Sequence, residues 1–174
     1  SVGEAIAHAQ RSTQVNPDNS LNWIGLARVY ENVIPFVSGS AELAFAAYAE
    51  AAAREPNNPA IPANLGRAHV IYANQLSKET RGPEYEAALM NLEQSLALKS
   101  DYAPAHFILV QIFDEQGKNN EAVARAERLR SLAPNDVGIL FQLGLLHYQA
   151  NRFTKAREMF ELAVRQSPDY ANAL

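Results

Sequence analysis

Four histidines, His8, His69, His106 and His147, are the side chains in this sequence best suited to chemistry near neutral pH. An imidazole beside a carboxylate can move a proton, and two on one helical face can hold a metal ion. Their spacing argues against both roles. Each histidine falls in a different predicted helix, and no His-Glu-x-x-His pair occurs. Asp114-Glu115 is a carboxylate pair without a histidine or second carboxylate at useful spacing, and it reads as a solvated helix end. No Gly-Lys-Ser/Thr phosphate loop, Gly-x-Gly-x-x-Gly turn or Gly-x-Ser-x-Gly elbow is present. Cysteine is absent, which removes disulfides, Cys-ligated zinc, iron–sulfur clusters and a thiol nucleophile. The expectation is a non-catalytic protein with no catalytic residues, no metal and no cofactor.

The charges point the same way. Lys plus Arg number 15 against 19 Asp plus Glu, a net charge of −4, which disfavours a nucleic-acid partner. Arg125, Arg128, Arg130, Arg152, Lys155, Arg157 and Arg165 interleave with Glu121, Glu127, Glu158 and Glu161, the pattern of a wet outer helix surface. Apolar residues make up 48% of the 174, enough for a packed core in one domain or one short solenoid. The longest apolar stretch, Gly138 to Leu146, is broken by Gln142 and falls short of the roughly 18 residues of a membrane span, so direct membrane insertion is not expected. Ser1-Val2-Gly3-Glu4 lacks the basic start of a signal peptide. Nothing here fixes a compartment.

The elements that carry these residues are set by a repeat. Ser131-Leu132-Ala133-Pro134-Asn135-Asp136 recurs 34 residues later as Arg165-Gln166-Ser167-Pro168-Asp169-Tyr170. Asn16-Pro17-Asp18-Asn19 and Glu55-Pro56-Asn57-Asn58 are equivalent, and Lys99-Ser100-Asp101-Tyr102 fills the same slot without proline. The slots at 17, 56, 100, 134 and 168 are spaced by 39, 44, 34 and 34 residues. Within each unit, Trp23-Ile24-Gly25-Leu26-Ala27-Arg28-Val29-Tyr30 is echoed by Leu65-Gly66-Arg67-Ala68-His69, by His106 to Phe113 and by Leu140 to His147. Ala44, Ala88, Ala122 and Ala156 each stand twelve residues before a slot, followed four residues on by Tyr48, Leu92, Ala126 or Phe160.

Three–four apolar spacing predicts helices, a Gly or Asn between helices suits a left-handed C-terminus, and the Pro-Asn-Asp segments end one helix and cap the next. First helices are predicted near 20–34, 60–78, 103–116 and 137–150, and second helices near 40–54, 83–99, 119–132 and 153–167, with a lone second helix near 3–15. A small residue facing a large one lets paired helices approach closely. Each pair must lean on its neighbours to bury its apolar face. His69 and His147 replace Tyr30 in its slot and His106 replaces Trp23, so packing between helices is their expected role.

The pattern Trp-x2-Leu-Gly-x2-Tyr, Ala-x3-Phe and Pro on a 34-residue period resembles the tetratricopeptide repeat family. Trp23, Leu26 and Tyr30 match in the first unit, and Leu143, Gly144, Ala156, Phe160 and Pro168 in the fourth. The resemblance implies an all-α, right-handed superhelical solenoid of antiparallel helix pairs over 1–174. Its parts are the second helix of a truncated repeat at 1–16, repeats at 20–58, 59–102 (with an insertion), 103–136 and 137–170, and the start of a truncated repeat at 171–174. Both ends break off in mid-pattern.

The same resemblance implies a concave face, lined by first helices, that binds a protein or peptide. Its slots fall at Ile24, Arg28, Glu31 and Asn32, then at Ala63, Arg67, Val70 and Ile71. The third unit supplies Phe107, Gln111, Asp114 and Glu115, and the fourth Phe141, Leu145, Tyr148 and Gln149. The partner-binding candidates are Ile24, Arg28, Asn32, Ala63, Arg67, Val70, Phe107, Gln111, Phe141, Leu145 and Tyr148. An extended peptide could set carboxylates near Arg28 and Arg67 and apolar side chains against Phe107, Phe141, Leu145 and Tyr148. The family's chaperone-docking clamp needs first-helix lysines and asparagines; only Lys78, in the expected extension of a first helix, and Asn64 qualify, so that variant is not expected.

Two insertions depart from the family. Ile34, Phe36 and Val37 make the loop at 33–39 apolar, either as a plug or as a contact. The polar insertion at 75–83 extends its helices by polar residues and reads as a loop without a role in binding. The stretch 34–59 also resembles repeat regions that follow multi-pass segments in bacterial envelope proteins of the O-antigen ligase type, which implies a soluble appendage of such a protein. Self-assembly into a homo-oligomer through exposed end helices is a further alternative.

Overall fold

Helix boundaries are written in local chemistry. The computed structural model describes residues 1–167, and among them it has nine α-helices and no strand. They are α1 (Val2–Val15), α2 (Ser20–Val33), α3 (Ser40–Arg54), α4 (Ala60–Ala73), α5 (Gly82–Leu98), α6 (Ala103–Glu115), α7 (Asn119–Leu132), α8 (Val137–Gln149) and α9 (Phe153–Gln166). Among these residues the fold is all-α, built of helices paired in chain order. Pro168 and the expected helix start at 171–174 lie outside the described residues.

The slot segments cap as their sequences suggest. Asn19 accepts the Leu21 N–H at 3.0 Å and Asp136 accepts the Ile139 N–H at 2.9 Å, each satisfying a donor left open at a helix start. The turns after α6 and α8 are copies of one another. Gly117 (φ 69°) and Asn151 (φ 57°) both take the left-handed conformation. The N–H of Lys118 reaches back to Phe113 and that of Arg152 to His147, both at 2.8 Å, closing the same six-residue loop.

One expected boundary moves. The first helix drawn to residue 78 ends at Ala73, because Gln75 and Leu76 bond three residues back, to Tyr72 and Ala73, and tighten the chain out of the α-helix. The Thr80 and Arg81 N–H groups then bond to Ser77, so the insertion folds as its own turn and Lys78 lies in a loop rather than on a helix. In the other insertion Ile34 folds into the core while Phe36, 83% exposed, and Val37 face solvent.

The chain divides into two compact units, Ser1–Tyr102 and Ala103–Leu174. In the first, α2 pairs with α3 and α4 with α5, α1 packs on α2, and α3 packs on α4. In the second, α6 pairs with α7 and α8 with α9, and α7 packs on α8. Side chains at the centre of each pair exchange volume. Ala27 and Tyr48 share the first unit's core, while Val110 and Ala126 share the second's. Gly66 lies against Leu92, which its Cβ would meet at 2.9 Å, and a Cβ on Gly144 would collide with the Phe160 ring. Where the first helix gives up its side chain, the second supplies a large one.

His69 and His147 take packing roles. The His69 ring stacks on Phe45 with centroids 4.0 Å apart, and its Nδ1 is 2.7 Å from the Glu84 carboxylate. His147 is 3% exposed, and its Nδ1 has no hydrogen-bond partner among the described residues. Burial holds its pKa below the ordinary value, and the cations Lys155, Arg152 and Arg130 add to that against an opposing Glu127. A histidine whose folded pKa is depressed is stabilising in its neutral form above the unfolded value near 6.5, and that stability is lost as pH falls. Thermal unfolding followed by circular dichroism between about pH 8 and pH 5 should therefore show a falling midpoint. His147→Phe should reduce that slope; an unchanged slope would remove His147 as its cause.

Candidate protein-binding surfaces

In the first unit the first-helix face is built from α2 and α4. Residues 24, 28 and 31–32 recur at three–four spacing, which puts them on one side of α2. Ile24 is half-buried against the core, and Arg28 and Asn32 are exposed. On α4, Ala63 and Val70 are 1% and 8% exposed, so they form wall rather than open surface.

Arg67 is engaged within the protein. Its Nε donates to Glu31 Oε1 at 2.7 Å and its Nη2 to Glu31 Oε2 at 3.3 Å, a two-pronged pair joining α4 to α2. The Tyr48 hydroxyl, from α3, donates to Glu31 Oε2 at 2.5 Å. Glu31 is 4% exposed and Tyr48 fully buried, while the Arg67 side chain stays 41% exposed. Burial, then the Glu31 charge, pushes the Tyr48 hydroxyl well above its ordinary pKa, and the hydrogen bond to Glu31 raises that of Arg67. The carboxylate neutralises Arg67, so the surplus positive charge on this face belongs to Arg28, which forms no ion pair among the described residues.

In the second unit the corresponding residues are more apolar. Phe107 is 48% exposed, Leu145 37% and Tyr148 60%, and Gln111 is exposed. Phe141 is half-buried, its ring 5.5 Å from that of Phe160.

A second apolar surface lies on α9 itself. Tyr148, Phe153, Ala156, Phe160 and Val164 line an open concavity of about 620 Å³, edged by Arg157, Glu161 and Arg165. The sequence marks α9 with the large apolar residues Phe153, Met159, Phe160 and Val164, of which Met159 is buried. It gives no comparable signal for the Glu31–Tyr48–Arg67 cluster, whose three members come from three helices.

Among the described residues no group of three or more acidic or histidine side chains is placed to hold a metal ion, and no helix is long and apolar enough to cross a membrane.

Comparison with known proteins accords with this architecture. The family profile for the tetratricopeptide repeat matches residues 107–171. No curated protein matches by sequence. A solved structure of MamA superposes with a TM-score of 0.74 at 19% identity, covering 98% of this chain and 91% of that one. A thermophilic TPR protein from Thermus thermophilus gives 0.74 at 23% identity, over 96% and 84% of the two chains. PilF from Pseudomonas aeruginosa gives 0.73 at 17% identity, over 95% and 69%. At these identities the likeness is one of fold. Residues 107–171 thus match the tetratricopeptide repeat by sequence, and the chain shares the fold of these solved structures.

Proposed function

We propose that this protein is a non-catalytic scaffold that binds a peptide or protein segment along its first-helix faces. The observation that carries the reading is an exposed, unneutralised Arg28 on α2, with exposed Phe107, Leu145 and Tyr148 on the first helices of the second unit. Aromatic and arginine anchors supply most of the energy in protein interfaces, and apolar side chains left in water favour such capture. The first unit's face favours a carboxylate, for Arg28, and the second unit's face favours aromatic or branched side chains. The imidazoles of His69 and His147 are occupied in packing, which supports a role without catalysis.

Arg67 and Phe141 are poor probes of this idea, because one holds Glu31 and the other packs on Phe160. Arg28→Glu and Phe107→Ala change exposed side chains instead. Selection from a random peptide library should enrich sequences with acidic and aromatic residues. The selected peptides should bind Arg28→Glu at least about tenfold more weakly, since reversal puts like charges together. Normal binding by both variants, with helical circular dichroism retained, would remove the first-helix faces as the site.

A further inference from the structure

The two insertions that break the repeat period meet in space. Residues 34–39 of one, Gln75 and Leu76 of the other, and Tyr72 near the end of α4 border a concavity of about 360 Å³ in the first unit. That lies near the lower bound of ligand sites, about 300 Å³, and suits one long side chain. Its wall is held in place. Ile34 is buried in the core, and the Phe36 and Val37 N–H groups both donate to the Val33 carbonyl, at 2.9 and 2.8 Å. The buried Ser40 hydroxyl donates to the Val37 carbonyl at 2.6 Å. The Tyr72 ring rests edge-on against Phe45, with centroids 6.1 Å apart. A wall fixed before binding loses little entropy when the site is filled.

The sign of this concavity is negative. Glu42 is the only charged side chain among the described residues that line it. It is exposed and forms no ion pair among the described residues. α2 and α4 both end here, and their last carbonyls carry partial negative charge, yet neither helix has a basic residue in its last turn. The start of α3 contributes the opposite sign, but only about half a charge against the whole charge of Glu42. Phe36, 83% exposed, and Tyr72 add aromatic faces, which attract cations. A guanidinium meets each of these features: it is cationic, its plane stacks on a ring, and its fork matches a carboxylate. An ammonium offers neither the plane nor the fork.

We propose that the concavity between the two insertions binds an arginine side chain of a partner protein, set against the Phe36 ring and paired with Glu42. The site is separate from the first-helix face around Arg28, where a cation is repelled.

Amide chemical-shift titration of the full 174-residue chain tests it, with an end-blocked Gly-Arg-Gly peptide as the probe. The control replaces arginine by citrulline, which keeps the shape and lacks the charge. The arginine peptide should shift the amides of 36–42 and 72–76, and the citrulline peptide should bind at least about threefold more weakly. Glu42→Gln and Phe36→Ala, both changes at exposed side chains, should each weaken the arginine peptide to a similar degree. Absence of shifts at 36–42 and 72–76 overturns the proposal. So does equal binding of the citrulline peptide, and so does binding unmoved by both variants. Shifts confined to the surroundings of Arg28 overturn it too, and leave the first-helix reading intact.

Discussion

Replacing Glu31 with alanine should destabilise the first unit by about 2–4 kcal/mol, read from urea unfolding followed by circular dichroism. The substitution removes the acceptor from a fully buried Tyr48 hydroxyl and the counter-charge from Arg67 in one step. A complete buried-pair breakage costs about 3–5 kcal/mol, and the 41% exposure of Arg67 lets water recover part of that. Arg67→Ala should cost as much or more, because it strands a carboxylate that is only 4% exposed. Tyr48→Phe should be the mildest, near 1 kcal/mol, since Glu31 keeps both bonds to Arg67. The Glu31→Ala/Arg67→Ala pair should cost less than the two singles added, by more than about 1 kcal/mol. Strict additivity would mean that the two side chains are neighbours without being coupled.

The exchange of volume between paired helices makes a second large effect. Val110 and Ala126 are each 1% exposed in the second unit's core. Ala126→Phe installs the ring that α9 carries at Phe160, but opposite valine rather than glycine. Overpacking of this kind costs about 1–3 kcal/mol or more. Val110→Gly alone should also destabilise, through a cavity and through glycine's poor helix propensity. Combined, they recreate the Gly144–Phe160 arrangement, in which the ring occupies the space a Cβ would need. The double variant should therefore be more stable than the sum of the singles implies, by more than about 1 kcal/mol in denaturant unfolding. A double variant as poor as that sum would show that volume at this position is not what matches the two helices.

These two cases show where sequence reading reaches and where it stops. The 34-residue period places Gly117 and Asn151 in equivalent turns, and their backbones coincide in conformation because each must escape a helix through positive φ. Helix starts at Asn19 and Asp136 are equally legible, since a capping side chain acts on the nearest two or three amides. The end of α4 is not, because polar residues 74–81 are compatible with either helix or turn and only the bonds back to Tyr72, Ala73 and Ser77 decide.

The slot analogy assigns a direction to each side chain but says nothing of what meets it. Ala63 and Val70 are covered, and Arg67 finds Glu31 on another helix. Tyr48 enters that cluster through its hydroxyl, whereas its sequence position marks it only as a large apolar residue at the helix-pair centre. The open side of α9 is legible for the opposite reason: Phe153, Phe160 and Val164 need no partner from elsewhere to be noticed.

Amide chemical-shift mapping with a peptide selected on the protein tests the central claim most directly. The account expects perturbations to gather on first helices, on α2 and α4 around Arg28 for a peptide held by the first unit, or on α6 and α8 around Phe107 for one held by the second. Perturbations gathered instead on α3, α5 and α7, with these residues unmoved, would contradict it.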